Sequence, residues 1–399
     1  MMAAGRAGSL NRKVLLLEKN RNLGKKLSLT GGGRCNILNA EEDEKKLLDQ
    51  YGESKKFLHS AFSQFKMKDA WNFFEKEGLP LVVEVRKRVF PESQNSADVI
   101  QVMKRYMAKN NVKVKRGVIV KGFEIEEGKI TGVNTNVGIF NAESFVLSTG
   151  GLSYPSTGST GDGLRWLKDL GHTVHPPEPS LVPLAVKESW VKDLSGVTLS
   201  FIKITFGTDR IKKEGRFSKT GKILFTHFGL SGPLILNASK KVKELLKEGP
   251  VKTVIDMYPD TDVGDIRKSL LDLFNKNKNK VLKNIIKEGV PEGMGEAVVK
   301  LVSPSLLNKK VHDISKEERE RLADIMKKMP LTVTSTMGMD RAIASDGGVD
   351  LSEIDTKTMR SKIHKNLYLT GDIPNIERLS GGFSLQWCWT SGWIAGSNA

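Results

Sequence analysis

The pattern that most constrains this chain is a short apolar run that stops abruptly on an acid or on bare glycine. "RKVLLLEKN" ends in Glu18, and "ESFVLSTGG" ends in Thr149-Gly150-Gly151. Runs of this kind read as strands of a parallel sheet covered on both faces. Ligands of open α/β sheets collect at the carboxyl edge of such strands, so both ends mark a candidate binding edge. In a dinucleotide-binding unit an acid placed like Glu18 accepts hydrogen bonds from ribose hydroxyls, although a solvated strand end explains a lone acid equally well.

The stretch "GKKLSLTGGGRCNILN", Gly24 to Asn39, adds a second constraint. Gly31, Gly32 and Gly33 remove every Cβ, permit positive φ and let backbone N–H groups crowd against a ligand. Arg34 supplies a planar donor for phosphate or carbonyl oxygens. A flexible linker needs glycines, but not the flanking Leu-Thr and Arg-Cys-Asn.

Further along, "AWNFFEKEGLPLVVE" reads as an amphipathic helix stopped at Gly78 and followed by a short strand. Asn95 or Ser96 is the expected N-cap of the next helix. "VKVKRGVIVKGFEIEEGKITGVNT" alternates and turns at Glu127-Gly128, a small meander. "SYPSTGSTGDGLRWLKDLGH" is a polar loop feeding a helix that stops at Gly171. Beyond "HPPEPSLVPL" the style changes: "GVTLSFIKITF" and "GKILFTHFGLSGPLIL" read as antiparallel strands, and "DVGDIRKSLLDLFNKNKNKVLKNIIKEG" and "SKEERERLADIMKKM" as helices. After Pro330 the α/β style resumes, through "NLYLTGD" to a final helix opened by two glycines. The expected division is therefore residues 1–185, an inserted part-barrel, part-helical domain at 186–330, and a return segment at 331–399.

The chain has 399 residues, 39% of them hydrophobic and 27% charged, enough to bury a sizeable core. Two cysteines make no disulfide framework, no signal peptide stands at the front, and no apolar run approaches the roughly 20 residues of a membrane span. A cytoplasmic protein without membrane attachment is expected. Six histidines and two cysteines show no metal spacing, so no metal is expected. The net charge of +17 suits phosphate-bearing partners such as RNA. Lysine-rich text such as "KNKNKVLKNIIK" fits a merely solvated surface as well, and charge alone does not separate these readings.

Taken in order, "LLLEKN", "LTGGGRCNILN", "STGGLSYPSTGSTGDGLRWLKDLGH", "LFTHFGLSGPLIL", "ASDGGVDLSEIDTKTMRSK", "NLYLTGDI" and "GGFSLQWCWTSGWIAG" resemble the BaiN-like flavoproteins, also described as the aminoacetone oxidase family of NAD(P)/FAD-dependent oxidoreductases. The resemblance covers essentially the whole chain. It implies a discontinuous FAD-binding Rossmann-like domain of the two-dinucleotide-binding type, interrupted by an antiparallel β-barrel-like domain and a helical subdomain. It implies FAD as cofactor and NAD(P)H as a candidate reductant. Carried onto this sequence, it places Glu18 and Lys19 at the adenosine ribose and Thr30, Gly31, Gly32, Gly33, Arg34 and Asn36 along the flavin and pyrophosphate. Val118 falls near the adenine, Thr149, Gly150 and Gly151 line the dinucleotide, and Gly371 and Asp372 hold the ribityl-pyrophosphate region. Gly382, Phe383, Ser384 and Gln386 open a helix whose N–H groups face the pyrimidine edge of the flavin, where negative charge develops on reduction.

The catalytic candidates are Cys35, within the glycine loop, and His227, in "THFGLSGP". Each has a structural alternative: a buried cysteine packing as a small hydrophobe, and a histidine with no carboxylate at useful spacing. Cys388 is read as packing. Three functional readings remain open on sequence: an RNA-modifying flavoenzyme that reduces uridine of large-subunit ribosomal RNA to dihydrouridine, a small-molecule oxidoreductase of the aminoacetone-oxidising or enone-reducing kind, and a truncated non-catalytic relative. The last arises because Glu18 has only 17 residues before it, whereas a dinucleotide fold sets the acid about 20 residues beyond its G-x-G-x-x-G turn. The opening "MMAAGRAG" is expected to be the second part of the cofactor helix, with Met1 an internal methionine. "AGSNA" is expected to stop short of the last helix's natural end, and FAD affinity is expected to be impaired.

Overall fold

The computed structural model describes residues 1–208 and 215–399. The chain forms two compact units, one from Met1–Pro179 with Ala342–Ala399 and one from Ser180–Arg341. The sequence-based boundaries at 185/186 and 330/331 fall inside the strands Leu184–Val186 and Met329–Thr336, both of which belong to the barrel of the second unit. The composition changes within those strands, whereas the hydrogen-bonded ladder sets the structural limit.

In the first unit, Leu15–Glu18 pairs in parallel with Lys113–Arg116, Glu18 standing opposite Arg116. A second parallel pair joins Phe145–Leu147 to Leu367–Leu369. The Leu15–Glu18 strand ends on its acid, whereas the second pair runs into the turns that carry Gly150-Gly151 and Gly371. The meander turns where expected, with Glu127 at φ 49° and Gly128 at φ 76°, the paired positive φ of a tight hairpin. Asn95 rather than Ser96 is the N-cap of the Ser96–Lys109 helix, accepting from the Ala97 N–H at 2.9 Å, while Ser96 Oγ donates to the Ser28 carbonyl.

The last helix, Phe383–Asn398, organises this unit. Trp387 and Trp389 are buried, and each indole N–H finds a backbone acceptor: Trp387 Nε1 donates to the Gly371 carbonyl at 2.6 Å and Trp389 Nε1 to the Ile37 carbonyl at 3.0 Å. The first helix, Met2–Ser9, lies against it and contains Gly5 and Gly8. They stay helical because bulk is excluded there: a Cβ on Gly396 would stand 2.3 Å from the Ala3 carbonyl oxygen, and one on Gly5 2.3 Å from the Tyr106 ring. Arg6 closes the contact by donating to Ser397 Oγ and stacking over Trp393.

The second unit is built on a closed barrel of six strands, in the order Leu184–Val186, Gly229–Ser231, Phe217–Thr226, Thr198–Gly207, Val251–Asp256, Met329–Thr336. Ile202, Ile204, Phe206, Ile223, Phe225, Val251, Ile255 and Val333 fill its core. "SGPLIL", read as strand from sequence, is instead the start of the Pro233–Leu246 helix. Gly232 at φ 96° ends the strand and Pro233, with its φ already helical and no N–H to satisfy, opens the helix. Helices Val263–Lys276, Gly295–Val302 and Lys316–Lys327 cover the barrel's apolar edge.

A buried polar staple fastens the return segment. His172 Nδ1 lies 2.8 Å from Glu353 Oε2 and its Nε2 3.0 Å from Ser361 Oγ, while the Thr173 N–H donates to Glu353. Burial holds the His172 pKa below the ordinary histidine value, against the pull of Glu353 and with a smaller push in the same direction from His364. Burial also disfavours the Glu353 charge but is outweighed by hydrogen bonds from Thr173 and His172, which keep its pKa low. Both native pKa values lie below the unfolded ones, so the unfolded chain takes up more protons on acidification. Stability is therefore expected to fall below about pH 6.5, by up to about 1.4 kcal/mol per pH unit for the histidine. Urea unfolding at pH 7.5, 6.5 and 5.5 checks this. His172→Gln should be less stable at pH 7.5 and show a flatter acid limb; an unchanged slope would refute the assignment.

Candidate functional site

The site assembles at the carboxyl ends of the parallel strands of the first unit. Glu18 closes its strand, and its Oε1 accepts from the backbone and side-chain N–H groups of Asn20 at 2.8 and 2.7 Å. No hydrogen bond to its Oε2 occurs among the described residues, leaving an acceptor for a hydroxyl. The Val118 N–H donates to the Glu18 carbonyl at 3.1 Å, so Glu18 and a buried apolar wall are adjacent as expected. Burial lowers the pKa of the Met1 amino group at the start of the first helix, opposed by Glu18 and Cys388. Lys19 Nζ is engaged by Thr160 and Asp162, at 2.6 and 3.1 Å.

Gly31, Gly32 and Gly33 all have positive φ, at 59°, 69° and 89°. They do not serve alike. A Cβ on Gly31 would meet the Asn36 backbone nitrogen at 2.6 Å, so this glycine is required by packing, whereas Cβ atoms on Gly32 and Gly33 would meet nothing within 4 Å. That open, bare backbone is the cradle. Thr30 Oγ1 donates to the Leu27 carbonyl, and Asn36, with its amide turned to satisfy its neighbours, donates to the Leu38 and Val89 carbonyls and accepts from the Gly382 N–H. Gly382 in turn packs with its Cα against Leu38, where a Cβ would stand 2.1 Å from the carbonyl oxygen. Asn36 and Gly382 thus weld the loop to the last helix.

Arg34 does not present a free fork to this cradle. Its Nη1 donates to Glu84 and Gln94, both at 2.8 Å, and its guanidinium stacks on Phe90. The bare backbones of Gly150 and Gly151 are covered by Ser159 and Ser345: added Cβ atoms would meet their hydroxyls at 2.7 and 2.3 Å. Thr149 Oγ1, by contrast, is buried without a partner among the described residues, and so are both amide atoms of fully buried Gln386 one turn into the last helix. Unsatisfied buried polar atoms are costly, and they accumulate where a bound group completes the hydrogen bonding. Phe383 is buried beside them, its carbonyl accepting from Tyr51, and Ser384 Oγ accepts from Arg378.

Sequence reasoning missed two cations here. Arg378 is 3% exposed and donates to Asp372, Ser384 and the Ile376 carbonyl. Lys26 Nζ donates to the Ser153 carbonyl and hydroxyl; burial lowers its pKa, opposed by Asp372. Buried Arg378 is ion-paired with Asp372 and also feels Asp346, while half-buried Lys26 feels Asp372, so this corner of the site holds a network of two cations and two carboxylates. Lys26 precedes the glycine loop and Arg378 the last helix by a few residues, but neither spacing belongs to a motif that signals burial.

Neither catalytic candidate keeps that role in this geometry. Cys35 is 0% exposed, with φ 62°, and burial pushes its thiol up to about 12; Cys388 is likewise pushed up to about 12. Neither is a thiolate near neutral pH, so the packing alternative describes both. His227 is exposed at the turn between two barrel strands, in edge contact with Phe228, and belongs to the second unit.

These residues fit FAD: a hydroxyl acceptor beside an apolar wall, an open glycine cradle, orphaned Thr149 and Gln386, and two cations flanking Asp372. The family comparison decides the matter. The chain belongs to the HI0933-like protein Rossmann domain family. The match runs over residues 1–398. With it come the reaction class and cofactor of an FAD-dependent oxidoreductase. This HI0933-like chain is 28% identical to the 3-dehydro-bile acid delta(4,6)-reductase of Clostridium scindens, over 97% of its own length and 92% of that protein. It is 25% identical to the ribosomal RNA dihydrouridine synthase of Escherichia coli, over 98% and 93%. Among solved structures, 3-ketosteroid delta1-dehydrogenase from Sterolibacterium denitrificans matches with a TM-score of 0.52 at 13% identity, covering 99% of this chain and 96% of that one. That likeness concerns the fold. Among the described residues no group of three or more His, Cys, Asp or Glu side chains is arranged to hold a metal, and no helix is long and apolar enough to cross a membrane.

Two outcomes follow from the site. Gly33→Val puts a branched side chain into the open cradle at positive φ, and is expected to weaken FAD binding at least tenfold, read by flavin fluorescence titration. Binding equal to wild type would show that the cradle does not hold the cofactor. At pH 8 the folded protein should resist iodoacetamide at both cysteines and become doubly alkylated in urea; fast alkylation of native Cys35 would contradict its buried, protonated state.

Proposed function

We propose that this chain uses FAD to reduce a carbon–carbon double bond conjugated to a carbonyl, and that its substrate is uridine in large-subunit ribosomal RNA in the cytoplasm. The observation that carries the RNA reading is the net charge of +17 on a protein that places its cofactor residues in one unit and most of its excess positive charge in the other. A polyanionic substrate accounts for that charge; a small neutral one does not. The full-length relative from Escherichia coli carries the corresponding name.

FAD, when bound, would supply hydride chemistry, with a reductant of the NAD(P)H class as the source of the electrons. Gly32, Gly33 and the start of the last helix would hold the isoalloxazine, with Lys26 and Arg378 contributing cationic donors to the same site. In the substrate the hydride adds to C6 of uracil and a proton to C5, so the C5=C6 double bond becomes single and the C4 carbonyl is retained. An enone accepts hydride at the equivalent β-carbon. The 28% identity to a bile acid reductase favours this as the second reading, with the same residues in the same roles.

The test incubates flavin-loaded protein and NADPH with an unmodified large-subunit ribosomal RNA transcript, and separately with a 3-oxo-Δ4 steroid. A nucleoside heavier by two hydrogens is the expected result. Loss of enone absorbance with untouched RNA would favour the second reading. Oxygen consumption with aminoacetone in place of either reduction would support amine oxidation, and inertness in all three would overturn the proposal.

A further inference from the structure

The second unit carries a lysine cluster that its own structure leaves uncompensated. Lys276 ends the Val263–Lys276 helix, and Lys278, Lys280 and Lys283 follow in the next seven residues. Residues 278–282 run antiparallel to 309–312: the Leu282 N–H donates to the Lys309 carbonyl at 3.0 Å, the Val311 N–H to the Lys280 carbonyl at 3.0 Å, and the His312 N–H to the Lys278 carbonyl at 3.0 Å. This brings Lys310, directly opposite Val281, into the same surface. All five lysines are exposed and none forms an ion pair among the described residues, whereas the neighbouring Lys309 is paired with Glu318 at 2.8 Å. The acids closest along the chain are Asp272 and Asp313, and the latter lies against His312 at 3.3 Å.

Holding like charges together on a backbone-tied surface raises the free energy of the folded protein unless a partner neutralises them. Exposed Asn275, Asn279 and Asn284 interleave with the lysines and offer amide donors and acceptors. Of the apolar residues of the same segment, Leu282, Ile285 and Ile286 are buried in the core of the unit and Val281 is half-buried, so the surface offers little for insertion into a lipid layer. Charge with polar amides and without exposed apolar side chains matches a nucleic-acid backbone better than a membrane.

We infer that the surface formed by Lys276, Lys278, Lys280, Lys283 and Lys310 is a docking site for the phosphate backbone of RNA, set on the inserted unit away from the glycine cradle in sequence. This rests on the RNA reading above. The docking site supplies sequence-independent affinity; selection of a base belongs to the flavin site.

The test compares flavin-loaded wild type with the variant Lys278→Gln/Lys280→Gln/Lys283→Gln/Lys310→Gln, using a fluorescent large-subunit ribosomal RNA transcript at several salt concentrations. Each lost phosphate contact lowers the slope of log affinity against log salt by about 0.7 to 0.9, so four lost contacts lower it by about 3. At 0.1 M salt the variant should bind at least about 30-fold more weakly. Its thermal melting and flavin spectrum should match wild type. If wild type binds with a steep salt slope and the variant matches it, the docking site is refuted while the RNA reading stands. If wild type shows no salt-dependent binding, the RNA reading fails and takes this inference with it. Loss of binding to phosphatidylserine vesicles with RNA affinity unchanged would assign the surface to lipid and overturn the inference.

Discussion

The first unit depends on one constraint: a helix apolar on every side cannot lie on a surface, and its indole N–H groups cannot be buried unpaired. Phe383–Asn398 is such a helix, and it meets both demands by sitting in the middle of the unit. The acceptors it uses are not arbitrary. Gly371 belongs to the turn before Asp372, and Ile37 follows the glycine loop. Ser391 Oγ accepts from the Gly371 N–H at 3.1 Å, so that turn is gripped by donor and acceptor together. Satisfying the tryptophans therefore fixes two segments of the candidate cofactor site.

Charge around the cradle follows a related logic. Arg378 is buried and Lys26 half-buried, and cations out of solvent are tolerated only with hydrogen-bonded partners. Asp372, Ser384 and Ser153 provide them. Asp372 and Asp346 both oppose the Arg378 charge and Asp372 that of Lys26, so the cluster is an ion-pair network set partly out of solvent, where such interactions are stronger. The residues expected to bind through their side chains are mostly occupied in holding the frame: Lys19 by Asp162, Arg34 by Glu84, Asn36 by three backbone groups.

How much of this was readable in the sequence depended on the range of the interaction. Features set by a few adjacent residues were legible: the Glu127-Gly128 turn, the asparagine cap at position 95, the strand ending in Glu18, the helix opened by Gly381-Gly382. Features set by close approach of distant segments were not. Nothing in "GRAG" announces that Gly5 makes room for Tyr106, and nothing in "NIERLSGG" announces that Arg378 is buried against Asp372. Sequence also assigned chemistry to Cys35 and His227 because of residue type. Burial of the one and exposure of the other are long-range outcomes that residue type does not carry. The recognised family resemblance supplied the cofactor, and the local geometry distinguished Gly32 and Gly33 from the packing glycine beside them.

The interruption of the first unit has a kinetic consequence. Its organising helix lies beyond the inserted unit, so the glycine loop, the strands and the first helix pair with a segment several hundred residues away; the Arg6–Ser397 hydrogen bond spans 391 positions. Closing so long a loop costs entropy, though the cost grows only logarithmically with length. The barrel shortens it. Leu184 stands opposite Thr336 in neighbouring strands, so once the barrel has formed, the chain re-emerges one strand-width from where it entered. Folding of the inserted unit first would turn a distant partner into a near one, making the insertion a clasp that speeds assembly of the unit it divides.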